Sequence, residues 1–197
     1  LVYYNPDIED LAAEIEGLVT GVVETAHKAD IPVFLEPLTY SADAEVEKKS
    51  REFATMRPRL IVETARRLSA LGPDIMKMEF PVDIFNDEAG TDTWERHCRE
   101  LTEASKAPWV LLSAGVDFED FERQAEVALK NGASGYLAGR AIWKESVTME
   151  PAERKEFLAG TAAHRTERLN TLVDRHAVPW TEYYSYDQAD ESWYGRY

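Results

Sequence analysis

Short apolar runs alternate along the chain with longer segments whose apolar residues recur every three or four positions. The runs are typical of buried strands, and the longer segments are typical of amphipathic helices. The pattern predicts strands over 1–4, 31–38, 74–80, 108–115 and 134–143. It predicts helices over about 8–28, 57–71, 93–105, 118–131 and 151–174. Because a helix separates each pair of strands, this order predicts a parallel sheet covered by helices.

Two architectures fit this order, an open doubly wound sheet and a (β/α)8 TIM barrel. No G-x-G-x-x-G follows a strand and no P-loop is present, which counts against a nucleotide-binding doubly wound sheet. Three predicted strands end in polar residues, Glu36, Lys77 and Ser113. Barrel enzymes build their sites from the carboxyl ends of several strands, so these positions favour the α/β barrel.

The chain has 197 residues, whereas a whole barrel takes about 250. It starts in a strand-like run and without a methionine. We therefore expect residues 1–175 to be the C-terminal part of a barrel, covering about the last five βα units of a longer protein. Residues 176–197 are expected to form an aromatic C-terminal tail. This tail either packs against the barrel wall or supplies a contact in a homo-oligomer, since aromatic residues are enriched at interfaces.

The strand within "DIMKMEFPVD" (74–83) carries two charged residues in an apolar setting. Side chains alternate between the two faces of a strand, which puts Lys77 and Glu79 on one face and only apolar residues on the other. The apolar face suits contact with the surrounding helices. The charged face is then expected to point into the barrel, where the neighbouring parallel strand would bring Glu36 towards Lys77.

A lysine in such a position has two interpretations. Desolvation favours the neutral amine, which attacks a carbonyl carbon and forms a Schiff base. A nearby carboxylate can then shuttle the protons that imine formation requires. The alternative is a buried ion pair, Lys77–Glu79 or Lys77–Glu36, that only closes the barrel interior.

The ends of the last two predicted strands suggest an anion site. "LSAG" (112–115) and "AGR" (138–140) end in small residues, and barrel enzymes often bind phosphate in the loops after strands seven and eight. Ser113, Gly115 and Gly139 would offer backbone N–H groups at close range, and Arg140 would add a fork of donors. The alternative is that the glycines only allow tight turns and that Arg140 is a surface cation.

Charge and cysteine content narrow the class of protein. Twenty-two basic and thirty-seven acidic residues give a net charge of −15, which argues against nucleic-acid and anionic-membrane partners but leaves room for a small phosphorylated substrate. Cys98 is the only cysteine, which excludes an intrachain disulfide and fits the cytoplasm. The four histidines have no zinc-site spacing, and the acidic loop 83–92 lacks EF-hand spacing. We therefore expect no metal and no cofactor.

Five segments together resemble one family, in its order and spacing. They are "LVYYNPD", "IPVFLEPLTY", "DIMKMEFPVD", "PWVLLSAGVDFEDF" and "GYLAGRAIW", and they span roughly residues 1–146. They resemble the tagatose-1,6-bisphosphate aldolase family of class I aldolases, which includes the related sulfofructose-phosphate aldolases. The resemblance implies a (β/α)8 barrel with a Schiff-base lysine on strand six.

The resemblance also implies roles for individual residues. Lys77 matches the imine-forming lysine, and Glu36 matches the glutamate assigned to proton transfer. The residues that match the phosphate-holding loops are Ser113, Gly115, Gly139 and Arg140. A further active-site lysine of the family would precede "LVYY", and the aspartate region of the first strand is also outside this chain. The residues present are therefore expected to form only part of the active site.

The hypothesis from the sequence is a metal-independent class I aldolase, an aldehyde-lyase. It would cleave a phosphorylated ketose, such as tagatose 1,6-bisphosphate, to dihydroxyacetone phosphate and an aldehyde. The iminium would accept the electrons, so that no metal is required. One alternative is cleavage of 6-deoxy-6-sulfofructose 1-phosphate. Another is a non-catalytic sugar-phosphate-binding barrel.

Overall fold

The structure is a computed structural model that describes residues 1–86, 90–185, 191–192 and 195. Its strands are β1 (Val2–Tyr4), β2 (Phe34–Leu35), β3 (Pro37–Thr39), β4 (Ile75–Met78), β5 (Trp109–Leu112) and β6 (Gly135–Leu137). Its α-helices are α1 (Glu9–Lys28), α2 (Arg51–Ser69), α3 (Thr91–Ala104), α4 (Phe118–Lys130), α5 (Arg140–Trp143), α6 (Pro151–Phe157) and α7 (Ala163–His176). Short 3-10 helices cover Lys144–Thr148 and Trp180–Tyr183, and a π-helical turn covers Leu158–Ala162.

Every assigned strand pair is parallel, and the neighbours follow the order of the chain. Strands β2, β4, β5 and β6 form one sheet in that order, and β1 pairs with β3. Only Glu36 separates β2 from β3, so the two are successive parts of one strand. A doubly wound sheet reverses its strand order at a switch point. The unreversed order found in the described chain is that of a barrel wall.

The last predicted strand is wrong beyond Leu137. Strand β6 ends at that residue, and residues 140–143, predicted as strand, form helix α5. The carbonyl oxygen of Gly139 accepts hydrogen bonds from the N–H groups of Ile142, at 2.8 Å, and Trp143, at 3.2 Å. These local bonds hold residues 140–143 in a helix. An apolar run in a sequence is compatible with a strand or with a buried helix, so the pattern alone does not separate the two.

Two helices also differ from their predicted bounds. Helix α2 starts at Arg51, six residues before the predicted start at 57, because the Ser50 hydroxyl caps it by accepting the Phe53 N–H at 3.1 Å. Pro58 lies inside α2. The predicted helix over 151–174 is interrupted by the π-helical turn between α6 and α7.

The two faces of β4 differ as the alternation predicts. Met76 and Met78 on β4, with Trp109 and Leu111 on β5, are at most 1% exposed and belong to the main apolar core. Lys77, between the two methionines, is partly exposed. None of the described helices is long and apolar enough to cross a membrane.

Candidate active site

A cavity of about 970 Å³ lies at the carboxyl ends of the strands. It is lined by five of the six predicted site residues, namely Glu36, Lys77, Ser113, Gly139 and Arg140. Gly115 is not in the lining, although its neighbours Ala114 and Val116 are. The structure thus brings residues from four separate strand ends to one concave surface.

Lys77 and Glu36 meet in the wall of this cavity. Lys77 Nζ lies 2.8 Å from Glu36 Oε2, and each side chain is about a quarter exposed, at 25% and 24%. Glu36 lies at the break between β2 and β3, and its carbonyl oxygen accepts the Val2 N–H at 3.0 Å. The predicted approach of the two side chains is confirmed. Their accessibility means that a ligand in the cavity can reach both.

Glu79 makes a separate set of contacts. Its Oε2 accepts the backbone N–H and the hydroxyl of Thr39, at 2.8 and 2.7 Å, and its Oε1 lies 2.7 Å from Lys48 Nζ. Arg57 lies 3.7 Å from the same oxygen. Burial disfavours the carboxylate, but Arg57, Lys48 and the Thr39 N–H outweigh it and lower the pKa of Glu79. The alternative of a Lys77–Glu79 ion pair is therefore not what the structure contains.

The loop after β5 brings its backbone against Arg140. Ala114 and Gly115 have φ angles of +49° and +77°, a left-handed conformation that favours glycine. A β-carbon built on Gly115 would lie 3.2 Å from Arg140 Cζ. Gly115 thus contributes by letting the Arg140 guanidinium pack on its backbone.

Arg140 is exposed at the cavity wall. Within residues 1–86, 90–185, 191–192 and 195, its guanidinium has no hydrogen bond or ion pair. Trp143, which is 41% exposed, packs beside Gly139, where an added β-carbon would lie 3.4 Å from the indole Nε1. Free donors beside a rigid ring are suited to hold an anion.

The cavity is more positive than the chain as a whole. Its described lining contains five cationic side chains and three carboxylates, in a chain of net charge −15. Three of the cations, Lys48, Lys49 and Arg57, were not predicted as site residues. The first two lie in "EKKS", just before the Ser50 cap of α2. Reading Ser50 as a helix cap in the sequence moves the predicted start of α2 to residue 51. Both lysines then fall in the loop between β3 and α2.

The histidines lie outside the cavity lining, whereas the start of the acidic loop, residues 83–86, is part of it. His27 pairs with Asp74 at 2.9 Å, just before β4 begins, and His97 pairs with Glu100 at 2.7 Å on α3. No group of three metal-ligating side chains occurs among the described residues. Residues 87–89 of the acidic loop 83–92 lie outside them.

Solved structures similar to this one establish the fold. One is a Schiff-base-forming fructose-1,6-bisphosphate aldolase, with a TM-score of 0.55 and 20% identity, matched over 81% of this chain and 53% of that one. An archaeal fructose 1,6-bisphosphate aldolase gives a TM-score of 0.55 and 20% identity, over 82% and 54%. These proteins are (β/α)8 barrels, and the chain forms part of such a barrel, as predicted.

Relatives in sequence identify the family. A tagatose 1,6-diphosphate aldolase of Listeria monocytogenes is 31% identical over 95% of the chain, and one of Staphylococcus epidermidis is 32% identical over 91%. The chain spans about 60% of the length of each relative. The model of the "DeoC/LacD family aldolase" matches residues 1–145. The chain therefore belongs to the DeoC/LacD family of aldolases.

Proposed function

We propose that the protein carrying this chain is a class I aldolase that cleaves a phosphorylated ketose, such as tagatose 1,6-bisphosphate. The observation that carries the proposal is the 2.8 Å contact between Lys77 Nζ and Glu36 Oε2 in the cavity wall. An amine and a carboxylate in contact, both reachable from a cavity, are the groups that imine chemistry requires. The names of the relatives support an aldolase with a phosphorylated substrate.

The proposed reaction follows from this contact. Glu36 accepts a proton from the Lys77 ammonium, and the free amine attacks the C2 carbonyl of the ketose. The carbinolamine loses water with a proton supplied by Glu36. The protonated imine then accepts the electron pair of the C3–C4 bond, releasing the aldehyde as the C4 hydroxyl loses its proton. Protonation and hydrolysis of the enamine release dihydroxyacetone phosphate and regenerate Lys77.

The phosphate is proposed to bind at the loops that follow β5 and β6. Ser113 and Gly139 line the cavity, Gly115 supports Arg140, and the Arg140 guanidinium is free to form a bidentate pair with a phosphate. The excess of cations in the lining attracts an anionic substrate despite the acidic surface.

Borohydride trapping tests the proposal directly. The protein expressed from its complete gene, mixed with dihydroxyacetone phosphate and borohydride, should gain one covalent adduct, mapped to Lys77 by mass spectrometry. Lys77→Ala should lose the adduct and all measurable cleavage. Lys130→Ala is the matched control, because Lys130 also pairs with a glutamate, Glu126 at 2.6 Å, but lies on α4 away from the cavity. An adduct that maps elsewhere, or cleavage lost with EDTA, contradicts the proposal.

The same preparation separates the alternatives. Cleavage of 6-deoxy-6-sulfofructose 1-phosphate in place of tagatose 1,6-bisphosphate would change the substrate but keep Lys77 as the imine-forming residue. A non-catalytic binder would show no cleavage of either sugar, and Lys77→Ala would leave its ligand affinity within a few-fold.

We further propose a cytoplasmic location, division into a barrel part (1–175) and a tail (176–197), and a homo-oligomer contact. Cys98 is a free, buried thiol, which suits a reducing compartment.

The Tyr184 hydroxyl donates to the Asp74 carbonyl at 2.5 Å, which supports packing of the tail on the barrel. Trp180 is 52% exposed and is the side chain proposed for the contact. Light scattering should then find more than one copy, and Trp180→Ala should lower the measured mass.

A further inference from the structure

The barrel wall has a gap in its backbone pairing at the level of Lys77 and Glu36. The register of β2 on β4 consists of Phe34 with Ile75 and Leu35 with Met76. Beyond these two pairs no assigned backbone pair joins β3 to β4, while each strand still pairs with its other neighbour, β3 with β1 and β4 with β5. The two proposed catalytic residues therefore face each other across strand segments that no assigned backbone pair joins.

Pro37 gives a physical reason for this gap. Successive residues of a strand direct their backbone groups to opposite neighbours. The Glu36 carbonyl bonds to Val2 on the β1 side, so Pro37 and Thr39 direct theirs to the β4 side. Pro37 has no N–H to donate, which ends the ladder. The Thr39 N–H still needs an acceptor.

Glu79, which directly follows β4, supplies that acceptor. It lies two residues after Lys77, and Thr39 lies three residues after Glu36. The Glu79 Oε2 accepts both the N–H and the hydroxyl of Thr39, and the residue is 2% exposed. Its other oxygen is held by Lys48 at 2.7 Å, so the carboxylate is fixed at both ends. A group so buried and so fully bonded resists movement.

We propose that Glu79 is a positioning residue, whose carboxylate joins β3 to β4 in place of the missing ladder and so sets the contact between Lys77 and Glu36. The consequence for catalysis rests on the proposed aldolase function, whereas the consequence for geometry does not. Loss of the link would let the end of β3 move away from β4. Glu36 would then move away from the Lys77 amine that it serves.

A zero-length cross-link measures this contact without any turnover. Carbodiimide couples only amines and carboxylates that touch, so peptide mapping should find a Lys77–Glu36 isopeptide in the unmodified protein. Thr39→Val keeps the N–H but loses the hydroxyl, and should lower the yield by roughly threefold to tenfold, as for one lost buried hydrogen bond. Thr39→Ser should restore the yield. The Lys130–Glu126 cross-link, on α4, serves as an internal reference that should not change.

The kinetic measurement uses Thr39→Val and Thr39→Ser and adds Glu79→Gln. If Glu79 positions the reacting pair, kcat per folded molecule should fall by roughly threefold to tenfold in Thr39→Val and at least as far in Glu79→Gln, with KM changed less than twofold. Thr39→Ser should recover kcat. A protein that forms no imine at all refutes the aldolase proposal, yet the cross-link still decides the role of Glu79. The variants could instead melt at a lower temperature but keep the cross-link yield, and keep kcat where there is turnover. That result would show that the Glu79 carboxylate only stabilises the fold, and it would overturn the inference.

Discussion

Replacing Gly115 by alanine tests how the loop after β5 controls Arg140. Gly115 has a φ of +77°, where an L-residue with a β-carbon is destabilised by roughly 1–2 kcal/mol. The added carbon would lie 3.2 Å from Arg140 Cζ and 3.4 Å from its Nε and Nη1. These contacts are too close, so the guanidinium must move by a few tenths of an ångström. The free energy of unfolding should therefore fall by about 1–2 kcal/mol.

The displacement should weaken binding of the substrate phosphate more than it affects the chemistry. A hydrogen bond to a charged group contributes about 1.5–3 kcal/mol, which corresponds to roughly tenfold to a hundredfold in affinity. If the movement of Arg140 costs one such bond, KM for the phosphorylated ketose should rise by that factor. The Lys77–Glu36 contact is not touched, so kcat should stay within about twofold.

Two controls separate the displacement of Arg140 from the general effect of replacing a glycine by alanine. Gly17→Ala, in the exposed part of α1 with no atom within 4 Å of the new carbon, should instead stabilise the protein by about 0.5–1 kcal/mol. In an Arg140→Ala background, Gly115→Ala should no longer raise KM, because the group it displaces is gone. An unchanged KM in the single variant, or the same increase in both backgrounds, would refute the role assigned to this loop.

Three further predictions concern stability and reactivity. Gly132→Ala should lower the free energy of unfolding by roughly 3 kcal/mol, measured by urea titration, because φ is +106° and the new carbon would lie 2.5 Å from Thr102 Cγ2. An effect below 1 kcal/mol would contradict this. Burial raises the pKa of the Cys98 thiol. A thiol reagent should therefore label Cys98 only at the rate at which the protein unfolds. Fast labelling of the folded protein would contradict the burial of Cys98 in the core. The pKa of Glu79 is lowered on folding, so its stabilising contribution is present above the unfolded pKa and is lost as the pH falls through the lower, folded pKa. Unfolding free energy measured from pH 6 to pH 3 should thus fall less steeply in Glu79→Gln, and parallel slopes would refute the assignment.

The sequence was sufficient to predict the contact between Lys77 and Glu36. Two regularities gave it: side chains alternate along a strand, and consecutive βα units place their strands side by side. Both are properties of backbone geometry and hold without knowledge of the other side chains. The same alternation predicted which methionines of β4 are buried, since Met76 and Met78 are at most 1% exposed.

The bonding of Glu79 could not be predicted in this way. It shares the face of Lys77, and alternation alone allowed an ion pair between the two. What decides its partner is the end of the ladder at Pro37, which leaves the Thr39 N–H without a strand neighbour. A proline in a strand-like run signals such an interruption, but which side chain fills the gap depends on the positions of Lys48 and Arg57 in three dimensions.

Net charge argues against large anionic partners but gives no indication of the electrostatic field inside the cavity. At physiological ionic strength the Debye length is about 8 Å, so carboxylates on the outer helices act weakly on a phosphate inside the barrel mouth. The local field there depends on which cations remain free of partners. Lys48 and Arg57 face Glu79, and Lys77 faces Glu36, whereas Arg140 and Lys49 have no ion pair in the described chain. Arg140, at the loops after β5 and β6, and Lys49, before α2, are therefore the cations available to an anionic sugar. The pairing of the other three explains how the free positive charge in the cavity stays confined to these two positions.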